Sequence, residues 1–494
     1  MIQGMHRRGQ LAPVLAAVVI ICLALAACVS TDPGLTTGRS ITADGGPDLL
    51  PNPTTPPVNT VARDPRNAEI SFGPNRTPRS YDEYLASALA DIQNFWRDAY
   101  PATYGSPYTD LAGGIYALYP DRSDTINVCG TQLTYDLVAG NARYFGCGDF
   151  IAWDDDQLLP ELTSNLGDSA VATVLAHEFG HAIQMRAGVL DQDLPTVVTE
   201  QQADCFAGAW SAHAARGESD LITFSDVEVK AGLVAMVYVR DPLDPIAGEP
   251  VFREGGHGTA FDRVGAFQYG FLGGTTECAK LIDTPLPLVN IAFSGQDDIA
   301  NQGNLPYGDI QSGVVTDLIR FWTAQFSSEQ LTFSAPAVSA FDHDGPFPTC
   351  EGIADDAWAF NALFCAASNT VFYDDGLTRA LYEKYGDFSV GYVLSNAWGE
   401  AVQRQLGSLL EGKQRALLND CLTGVWTNDI VPNGSTDQPF TVSPGDLDEA
   451  VSTALVLDDV SQSGVLATAF EKIDSFRAGV LGGFTACDDR IKNG

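Results

Sequence analysis

The chain has 494 residues, of which 63 are acidic and 27 are basic, so its formal net charge at pH 7 is −36. A surface this acidic repels phosphate backbones, and we therefore expect no nucleic acid among its partners. Hydrophobic residues make up 45% of the chain and charged residues 18%, which is a globular composition with enough length for two or three domains.

The first residues have the pattern of a bacterial export signal. Two arginines give a positive start, and residues 11–27 form an apolar run that is slightly short for a stable membrane span. The run ends in Leu-Ala-Ala before Cys28, which resembles a lipobox, where cleavage falls before the cysteine and the cysteine is acylated, for example with palmitate. We therefore predict a lipoprotein signal peptide over residues 1–27 and lipidation of Cys28. An ordinary signal peptide or a membrane anchor is the alternative.

Residues 28–79 are rich in proline, glycine, threonine and aspartate, and they have neither a helical nor a strand period. This composition is typical of a flexible tether. An acylated Cys28 would hold the protein on the outer, extracytoplasmic face of a bacterial cell membrane. The tether would let the folded body stand off from that membrane in an oxidising compartment.

The remainder of the chain contains one series of sequence segments twice. Five segments of the first half recur in the same order in the second half, with nearly constant spacing. We infer two copies of one domain in tandem, at residues 80–288 and 289–494. The matched segments are 91–96 and 317–322, 151–155 and 371–375, 179–184 and 398–403, 204–210 and 420–426, and 272–278 and 481–487.

Both copies have the sequence pattern of an α+β fold that is mostly helical. In the first copy the pattern predicts a helix over roughly 80–100 and a short strand at about Phe150–Asp154. Asp168 or Ser169 is predicted to cap the helix that follows, which runs to about Arg186.

Eight cysteines remain after Cys22 and Cys28 are assigned to the signal and the anchor, and each copy holds four of them at matching places. Bridges confined to one copy leave only a few pairings, among which local order favours one. A zinc site made of cysteines is the alternative, although none of the cysteines forms a Cys-x-x-Cys pair. The favoured pairs are Cys129–Cys147, Cys205–Cys278, Cys350–Cys365 and Cys421–Cys487.

The segment His177-Glu178-Phe179-Gly180-His181 is an H-E-x-x-H motif inside a predicted helix. Because His177 and His181 are four residues apart, one helical face presents both imidazoles, and together they can bind one Zn²⁺. Zinc lowers the pKa of a bound water, and the carboxylate of Glu178 is placed to take the proton of that water as a general base. The alternative is that the motif has no function and consists of two unrelated histidines on a surface helix.

A catalytic zinc needs a third protein ligand and an open position. Glu200 and Asp204 share a face of the next predicted helix. Either carboxylate could bind the metal, while the other supports a histidine through its second ring nitrogen. A solvated acidic helix face is the alternative for both residues.

The run His-Glu-Phe-Gly-His-Ala-Ile-Gln at 177–184, the run from Glu200 to Trp210, and the stretch from His257 to Gly270 resemble the bacterial neutral zinc metallopeptidase family. The resemblance covers most of the first copy. It implies a zincin-like domain with a gluzincin-like site, in which Glu200 is the third zinc ligand and Asp204 supports a liganding histidine. The lipobox and the second copy lie outside the family's minimal pattern.

The second copy lacks the metal-binding residues. The positions of His177, Glu178, His181 and Glu200 hold other side chains, whereas Asp204 is matched by another aspartate. This separation again favours Glu200 over Asp204 as the ligand, and it predicts one zinc per chain and a degenerate second copy. The residues at the matched positions are Asn396, Ala397, Glu400, Ala416 and Asp420.

Two further features of the first copy are candidates for catalysis. His257 is matched by Leu466, so it is absent together with the metal-binding residues, and its imidazole could stabilise the tetrahedral oxyanion. A capping or surface histidine is the alternative. The strand at Phe150–Asp154 could offer its edge to an extended peptide substrate.

The sequence thus predicts a lipid-anchored zinc peptidase that hydrolyses peptide bonds of peptide or protein substrates. The first alternative is a non-catalytic envelope lipoprotein that binds peptides or proteins and contains a structural zinc. The second is a zinc hydrolase acting on a bond other than a peptide, because H-E-x-x-H determines how water is activated and not which group is attacked.

Overall fold

The structure, a computed structural model, describes residues 68–243, 256–433, 438–457, 459–460 and 466–493. The predicted signal peptide, Cys28 and the tether up to residue 67 lie outside the described residues. The described residues all belong to one unit, Gly45–Gly494. Among them, no helix combines the length and the apolar character needed to span a bilayer.

The first half of the described chain is mixed α and β. Its helices are α1 (Asp82–Tyr104), α2 (Leu158–Leu166), α3 (Asp168–Arg186), α4 (Thr196–Ala215), α5 (Asp226–Tyr238) and α6 (Ala260–Lys280). Its strands are β1 (Gly114–Leu118), β2 (Ile126–Val128), β3 (Thr131–Leu133), β4 (Ala142–Phe145) and β5 (Phe150–Asp154).

The second half has a similar series of elements, so the described chain is α+β and mostly helical, as predicted. Its helices are α7 (Gln296–Ala300), α8 (Tyr307–Ser328), α9 (Asp375–Tyr385), α10 (Phe388–Gln405), α11 (Gly412–Ile430), α12 (Asp446–Val456) and α13 (Ala469–Asn493). Its strands are β6 (Ala337–Phe341), β7 (Ala362–Cys365), β8 (Thr370–Asp374), β9 (Asp459–Val460) and β10 (Leu466–Ala467).

Each half contains a three-stranded sheet of the same topology. The first sheet has the order β1-β5-β4, with β1 parallel and β4 antiparallel to the central strand β5. The second has the order β6-β8-β7, with the same directions around β8. The prediction that Phe150–Asp154 offers an edge is therefore wrong, because β5 is hydrogen-bonded on both sides and all five of its residues are buried.

The start of the folded body also differs from the prediction. The predicted tether includes residues 68–79, yet Ser71 forms a parallel bridge with Tyr116. The guanidinium of Arg76 forms ion pairs with Asp82 and Asp155. This part of the predicted tether is thus packed against the first half.

Helix α3 begins without the predicted side-chain cap. Gly167 is the residue before the helix, and no side chain accepts a hydrogen bond from the first turn. Gly167 has a φ of 92°, which allows the chain to leave α2 and enter α3 in one step. Asp168 lies inside the first turn, where its negative charge is favourable near the helix N-terminus.

Two glycines allow α4 and α6 to cross at close range. A Cβ atom on Gly208 would lie 1.9 Å from the carbonyl oxygen of Phe267, and one on Gly270 would lie 1.8 Å from the carbonyl oxygen of Cys205. In the second half, α11 and α13 cross in the same way. There a Cβ on Gly424 would lie 2.0 Å from the oxygen of Phe476.

We expect Gly208→Ala to lower the free energy of unfolding by about 3 kcal/mol, because the added methyl group must push one backbone away from the other. Gly308→Ala is the matched control. Gly308 is exposed in the first turn of α8, and a methyl group added there would meet no neighbouring atom within 4 Å. Urea unfolding of both variants checks this. Equal stability of the two would contradict the close crossing.

Four disulfides link the described cysteines in the same pairs that local order favours. The first half contains Cys129–Cys147 and Cys205–Cys278. The second contains Cys350–Cys365 and Cys421–Cys487. The bridges from Cys205 and Cys421 tie α4 to α6 and α11 to α13, so they support the two helix crossings.

The two halves contact each other through α12 and α13 of the second half. The backbone N–H of Phe261 donates to Oδ1 of Asp448 at 2.9 Å, and Nε of Arg240 lies 3.3 Å from Oδ2 of the same carboxylate. Nε2 of Gln268 donates to the carbonyl oxygen of Phe470 at 2.8 Å. Asp448 is buried, so it belongs to the core between the halves.

Candidate metal centre

The H-E-x-x-H motif lies in the middle of α3, a helix buried on almost all sides. His177 is 3% exposed and Glu178 is 5% exposed. Gly180 allows α4 to approach, since a Cβ there would lie 2.8 Å from Cα of Ala203. Close packing of α3 and α4 thus brings Glu200 to the face that carries both histidines.

Three ligand atoms converge between α3 and α4. Nε2 of His177 lies 3.2 Å from Oε2 of Glu200, and Nε2 of His181 lies 3.4 Å from Oε1 of Glu200. Two ligands held at 2.0–2.1 Å from a tetrahedral zinc are about 3.3 Å apart. Nε2 of His177 and Oε2 of Glu200 are buried atoms without a hydrogen-bond partner among the described residues. These three side chains therefore fit a zinc ion.

Asp204 supports His177 from behind. Nδ1 of His177 donates to Oδ1 of Asp204 at 2.7 Å, which leaves the lone pair of Nε2 directed at Glu200. Arg263 on α6 donates to both oxygens of Asp204, at 3.0 Å from Nε and 2.8 Å from a terminal nitrogen. Asp204 is thus engaged at both oxygens, and Glu200 is the carboxylate that faces the two Nε2 atoms.

His181 is oriented by a residue that the sequence did not single out. Nδ1 of His181 donates to Oε1 of Gln184 at 2.9 Å, and Nε2 of Gln184 donates to the carbonyl oxygen of Thr199 at 2.6 Å. The amide oxygen can only accept, so Nε2 of His181 keeps its lone pair. Gln184 is matched by Gln403, whose Nε2 donates to a carbonyl oxygen of the next helix in the same way. The glutamine shared by the two matched segments was the feature of the sequence that could have indicated this role of Gln184.

The electrostatic field of the site favours positive charge where the ligand atoms meet. Burial lowers the pKa of His177, but the carboxylates of Asp204 and Glu200 outweigh it and raise that pKa to about 10. Burial raises the pKa of Glu200, yet the imidazoles of His181 and His177 hold it well below its usual range. A divalent cation placed between these groups would meet the same stabilisation.

Glu178 is positioned by the sheet. The backbone N–H of Tyr144 on β4 donates to Oε2 of Glu178 at 2.7 Å. Oε1 of Glu178 lies 4.0 Å from Nε2 of His177, beside the place where the three ligand atoms converge. One carboxylate oxygen is therefore held by the backbone, and the other is available to a water or substrate next to the metal.

A pocket of about 460 Å³ opens beside His177 and Glu178. His177, Glu178 and His257 line it, together with Arg240 and Asp241. The imidazole of His257 is 6.4 Å from that of His177, measured between ring centroids. The structure thus brings His257 to the same pocket as the H-E-x-x-H motif.

His257 is held in the pocket wall by Asp241, which the sequence did not indicate. Oδ1 of Asp241 accepts from the backbone N–H of His257 at 2.9 Å and lies 3.4 Å from Nδ1 of its ring. Oδ2 accepts from the N–H of Gly258 at 2.9 Å. These bonds lower the pKa of Asp241 against the effect of its burial. The residue is 16 positions from His257, so no local motif joins the two.

The strand edge beside the pocket belongs to β4 and not to β5. The carbonyl oxygen of Asn141 accepts from the N–H of Asp154, so it faces β5. Backbone groups alternate along a strand, and those of Ala142 and Tyr144 therefore face away from β5. Asn141 and Ala142 line the pocket.

The matched place in the second half has a different arrangement. Nδ2 of Asn396 donates to Oδ1 of Asp420 at 2.6 Å, and Glu400 accepts from Nε of Arg415 at 2.8 Å. Within the part of the chain that the structure describes, no group of histidine, cysteine and acidic side chains able to hold a metal lies at this place.

We expect Asp204→Asn to reduce zinc affinity by about 10–100-fold, because His177 loses the charged partner that orients its ring. Asp420→Asn, the same change at the matched position, should leave zinc affinity unchanged. Competition with a chromophoric chelator measures both affinities. The role assigned to Asp204 is refuted by equal zinc affinities of Asp204→Asn and the unaltered chain.

Comparison with known proteins agrees with the geometry of the first half. Residues 74–281 match the family model described as "Putative neutral zinc metallopeptidase", and this range contains the whole metal centre. No solved structure matches the chain.

Two curated relatives are uncharacterized proteins. YpfJ of Escherichia coli (strain K12) is 26% identical over 157 residues, which are 28% of this chain and 51% of that protein. Rv2575 of Mycobacterium tuberculosis (strain ATCC 25618 / H37Rv) is 33% identical over 98 residues, which are 17% of this chain and 33% of that protein. The chain therefore spans about half the length, or less, of these relatives.

Proposed function

We propose that the chain is a zinc-dependent peptidase that hydrolyses peptide bonds with one zinc, held in the first half by His177, His181 and Glu200. The observation that carries the proposal is the convergence of these three ligands next to Glu178, at a place where His177 and Glu178 line the pocket. A structural zinc is usually enclosed by four protein ligands. Among the described residues only three converge here, which leaves a position open toward the pocket.

The reaction can be derived from the side chains around the pocket. Zinc, when bound, polarises the scissile carbonyl and makes the attacking water more acidic. Oε1 of Glu178 accepts the proton of that water and then delivers it to the leaving amine, while the N–H of Tyr144 holds Oε2. The imidazole of His257 donates to the oxyanion that forms on the carbonyl, and Asp241 keeps that ring in the pocket wall.

The proposed substrate is a peptide or protein segment in extended form. The carbonyl oxygens of Ala142 and Tyr144 lie on the outer edge of β4, whereas the N–H of Ala142 donates to Oδ1 of Asn141 at 2.9 Å and that of Tyr144 donates to Glu178. An extended peptide can pair with such an edge through main-chain hydrogen bonds to these carbonyl oxygens. The edge begins at the pocket, since Gly140 and Asn141 line it. A peptide added to β4 would thus run past Glu178.

We further propose that the second half is a degenerate copy of the first. The equal sheet topologies, the matched disulfides and the matched helix crossings support this proposal. So does a shared buried contact: Nε1 of Trp210 donates to Asp91 at 2.8 Å, and Nε1 of Trp426 donates to Asp317 at 2.9 Å. The copy lacks the metal-binding residues, so it would contribute no chemistry.

The proposed location is the extracytoplasmic face of a bacterial cell membrane, with a lipid anchor on Cys28. The lipobox-like sequence supports this, as do the four disulfides, which are typical of oxidising compartments. Metabolic labelling with an alkyne fatty acid, compared between the full chain and Cys28→Ser, tests the anchor. Equal labelling of the two chains would refute it.

The activity is tested with a peptide library. The chain is stripped of metal, reloaded with one equivalent of zinc, and incubated with the library, and new termini are identified by mass spectrometry. We expect cleavage by the zinc-loaded chain and none by the metal-free chain. If the loaded chain binds peptides without cleaving them, the alternative of a binding lipoprotein with a structural zinc is favoured.

We expect His257→Ala to lower kcat by about 10²–10³-fold with no loss of zinc, because the oxyanion loses a preorganised donor. His213→Ala is the matched control, since His213 pairs with Glu218 and does not line the pocket. Initial rates and metal content are measured for both. An unchanged kcat in His257→Ala would remove His257 from the mechanism.

A further inference from the structure

Three buried carboxylates lie together in the second half, far along the chain from the zinc ligands. Asp387 directly precedes α10, and Asp446 and Glu449 lie in the first turn of α12. Their exposed fractions are 1%, 4% and 7%. One oxygen from each lies within 4.8 Å of the other two. We call these three residues the carboxylate cluster.

Backbone donors fix one oxygen of each member of the carboxylate cluster. Each of these bonds comes from a main-chain N–H at the start of a helix or in a neighbouring loop, so the carboxylates cannot rotate away from one another. The bonds are Leu305 N to Asp387 Oδ2 at 2.7 Å, Phe388 N to Glu449 Oε2 at 2.7 Å, and Ser443 N to Asp446 Oδ2 at 2.8 Å.

One oxygen of Asp446 has no partner: its Oδ1 is buried and accepts no hydrogen bond. Apart from the bond from Leu305, the carboxyl group of Asp387 is within hydrogen-bond reach of the carboxyl group of Glu449. Among the described residues, no lysine, arginine or histidine forms an ion pair with the carboxylate cluster. Buried carboxylates without a counter-charge are energetically unfavourable, and proteins normally pair them with a positive charge or place a metal between them.

The pKa values of all three carboxyl groups in the cluster are raised, as expected where no positive charge lies beside them. Burial raises the pKa of Asp387 to about 6. Burial, followed by the charge of Asp387, raises the pKa values of Asp446 and Glu449 well above their usual range. Backbone hydrogen bonds to the carboxylates oppose these shifts and do not cancel them, and the hydrogen bond between the two carboxyl groups lowers the pKa of Asp387 while it raises that of Glu449. A positive charge is therefore missing from this part of the core.

We propose that the carboxylate cluster is a calcium site. Ca²⁺ prefers carboxylate oxygens at about 2.4 Å, so ligands on opposite sides of the ion are separated by up to about 4.8 Å. The spacing within the cluster falls inside that limit. The ligands would be one carboxylate oxygen each of Asp387, Asp446 and Glu449. An all-oxygen set suits Ca²⁺, whereas the two imidazoles of the other centre suit zinc.

Hydrogen bonds around the carboxylate cluster join a neighbouring segment of the chain to the starts of α10 and α12. Oδ1 of Asn304 accepts from the backbone N–H of Asp387 at 2.7 Å, and Oγ of Ser443 donates to Asp298 at 2.9 Å. Helix α7, which contains Asp298, and the loop after it, which contains Asn304, are thus tied to the starts of α10 and α12 around the cluster. A bound calcium would hold this loop and both helix starts together.

The first half has a different arrangement at the matched place. Asp168 corresponds to Asp387 along the chain. Helix α5 follows α4 as α12 follows α11, and at its start Ser225 and Glu228 form a capping box with each other. Asp168 therefore has no second and third carboxylate with which to share an ion, among the residues that the structure describes. It offers a matched control for the cluster.

The test uses the full chain, stripped of metal and reloaded with one equivalent of zinc, so that the zinc centre stays filled. Calcium chloride is titrated in a calorimeter, and Tm is recorded with and without calcium. We expect one calcium per chain and a rise in Tm of roughly 3 °C or more. Asp446→Asn should weaken calcium binding by about 100-fold and abolish the rise in Tm, whereas Asp168→Asn should behave as the unaltered chain.

Two outcomes would overturn the proposal. The first is the absence of saturable calcium binding to the unaltered chain, which needs no variant and so remains decisive if Asp446→Asn fails to fold. The second is equal calcium affinity of Asp446→Asn and Asp168→Asn. Neither readout depends on peptide cleavage, so the result is independent of the proposed peptidase function.

Discussion

Glu178→Gln is expected to reduce peptide cleavage by about 10²–10⁴-fold while the chain still binds one equivalent of zinc. Glutamine has nearly the same shape as glutamate, and its amide oxygen can still accept the hydrogen bond from the N–H of Tyr144. It cannot take a proton from water. The loss should therefore be in kcat, because the step that fails is proton transfer and not substrate binding.

The control for this variant is Glu400→Gln, which makes the same change at the position matched to His181. Glu400 is paired with Arg415, away from the pocket. Its cleavage rate should equal that of the unaltered chain. Metal content is measured for both variants by mass spectrometry of the digested protein. Cleavage by Glu178→Gln at the same rate as by the unaltered chain would refute the proposed mechanism.

Glu200→Ala is expected to lower zinc affinity by at least about 100-fold, a larger loss than that of Asp204→Asn. His177 and His181 would remain, but two imidazoles alone leave the zinc without the negative ligand that the site is built to supply. The buried Nε2 of His177 would then lose the carboxylate oxygen that lies 3.2 Å away, while Oε1 of Glu178 would stay 4.0 Å from it. Peptide cleavage should fall in parallel with zinc occupancy.

The relative losses of zinc affinity distinguish the proposed ligand, Glu200, from the supporting carboxylate, Asp204. Zinc affinities of Glu200→Ala and Asp204→Asn are compared with that of Glu411→Ala, in which an exposed glutamate of the second half is removed. We expect the first variant to be weakest and the last to be unchanged. If Asp204→Asn lost more affinity than Glu200→Ala, the assignment of ligand and supporting residue would have to be reversed.

The proposed zinc ligands could be identified as candidates in the sequence because their geometry is local. The four-residue spacing of His177 and His181, and of Glu200 and Asp204, places each pair on one face of a helix. Spacing alone could not decide between the two carboxylates. That choice depends on how α3 and α4 pack, which sets whether a carboxylate meets Nδ1 or Nε2 of His177.

Features that depend on distant parts of the chain escaped prediction. The pattern of β5 identifies a strand, but its central position results from pairing with β1 and β4, which no local pattern encodes. The same holds for the carboxylate cluster, because Asp387 and Asp446 are brought together by α10 and α12. The support of His257 by Asp241 spans a loop and has no helical or strand period.

The buried carboxylate of Asp448 has a consequence for the history and the engineering of this chain. It belongs to the second half, yet it bonds to Arg240 and Phe261, and Arg240 lines the pocket of the first half. If the second half only followed the first along the chain, it could be removed without any effect on the pocket. Here its removal would expose Phe261 and release one wall of the pocket. A version shortened at residue 288 would therefore have an altered pocket and would not be a minimal form of the chain.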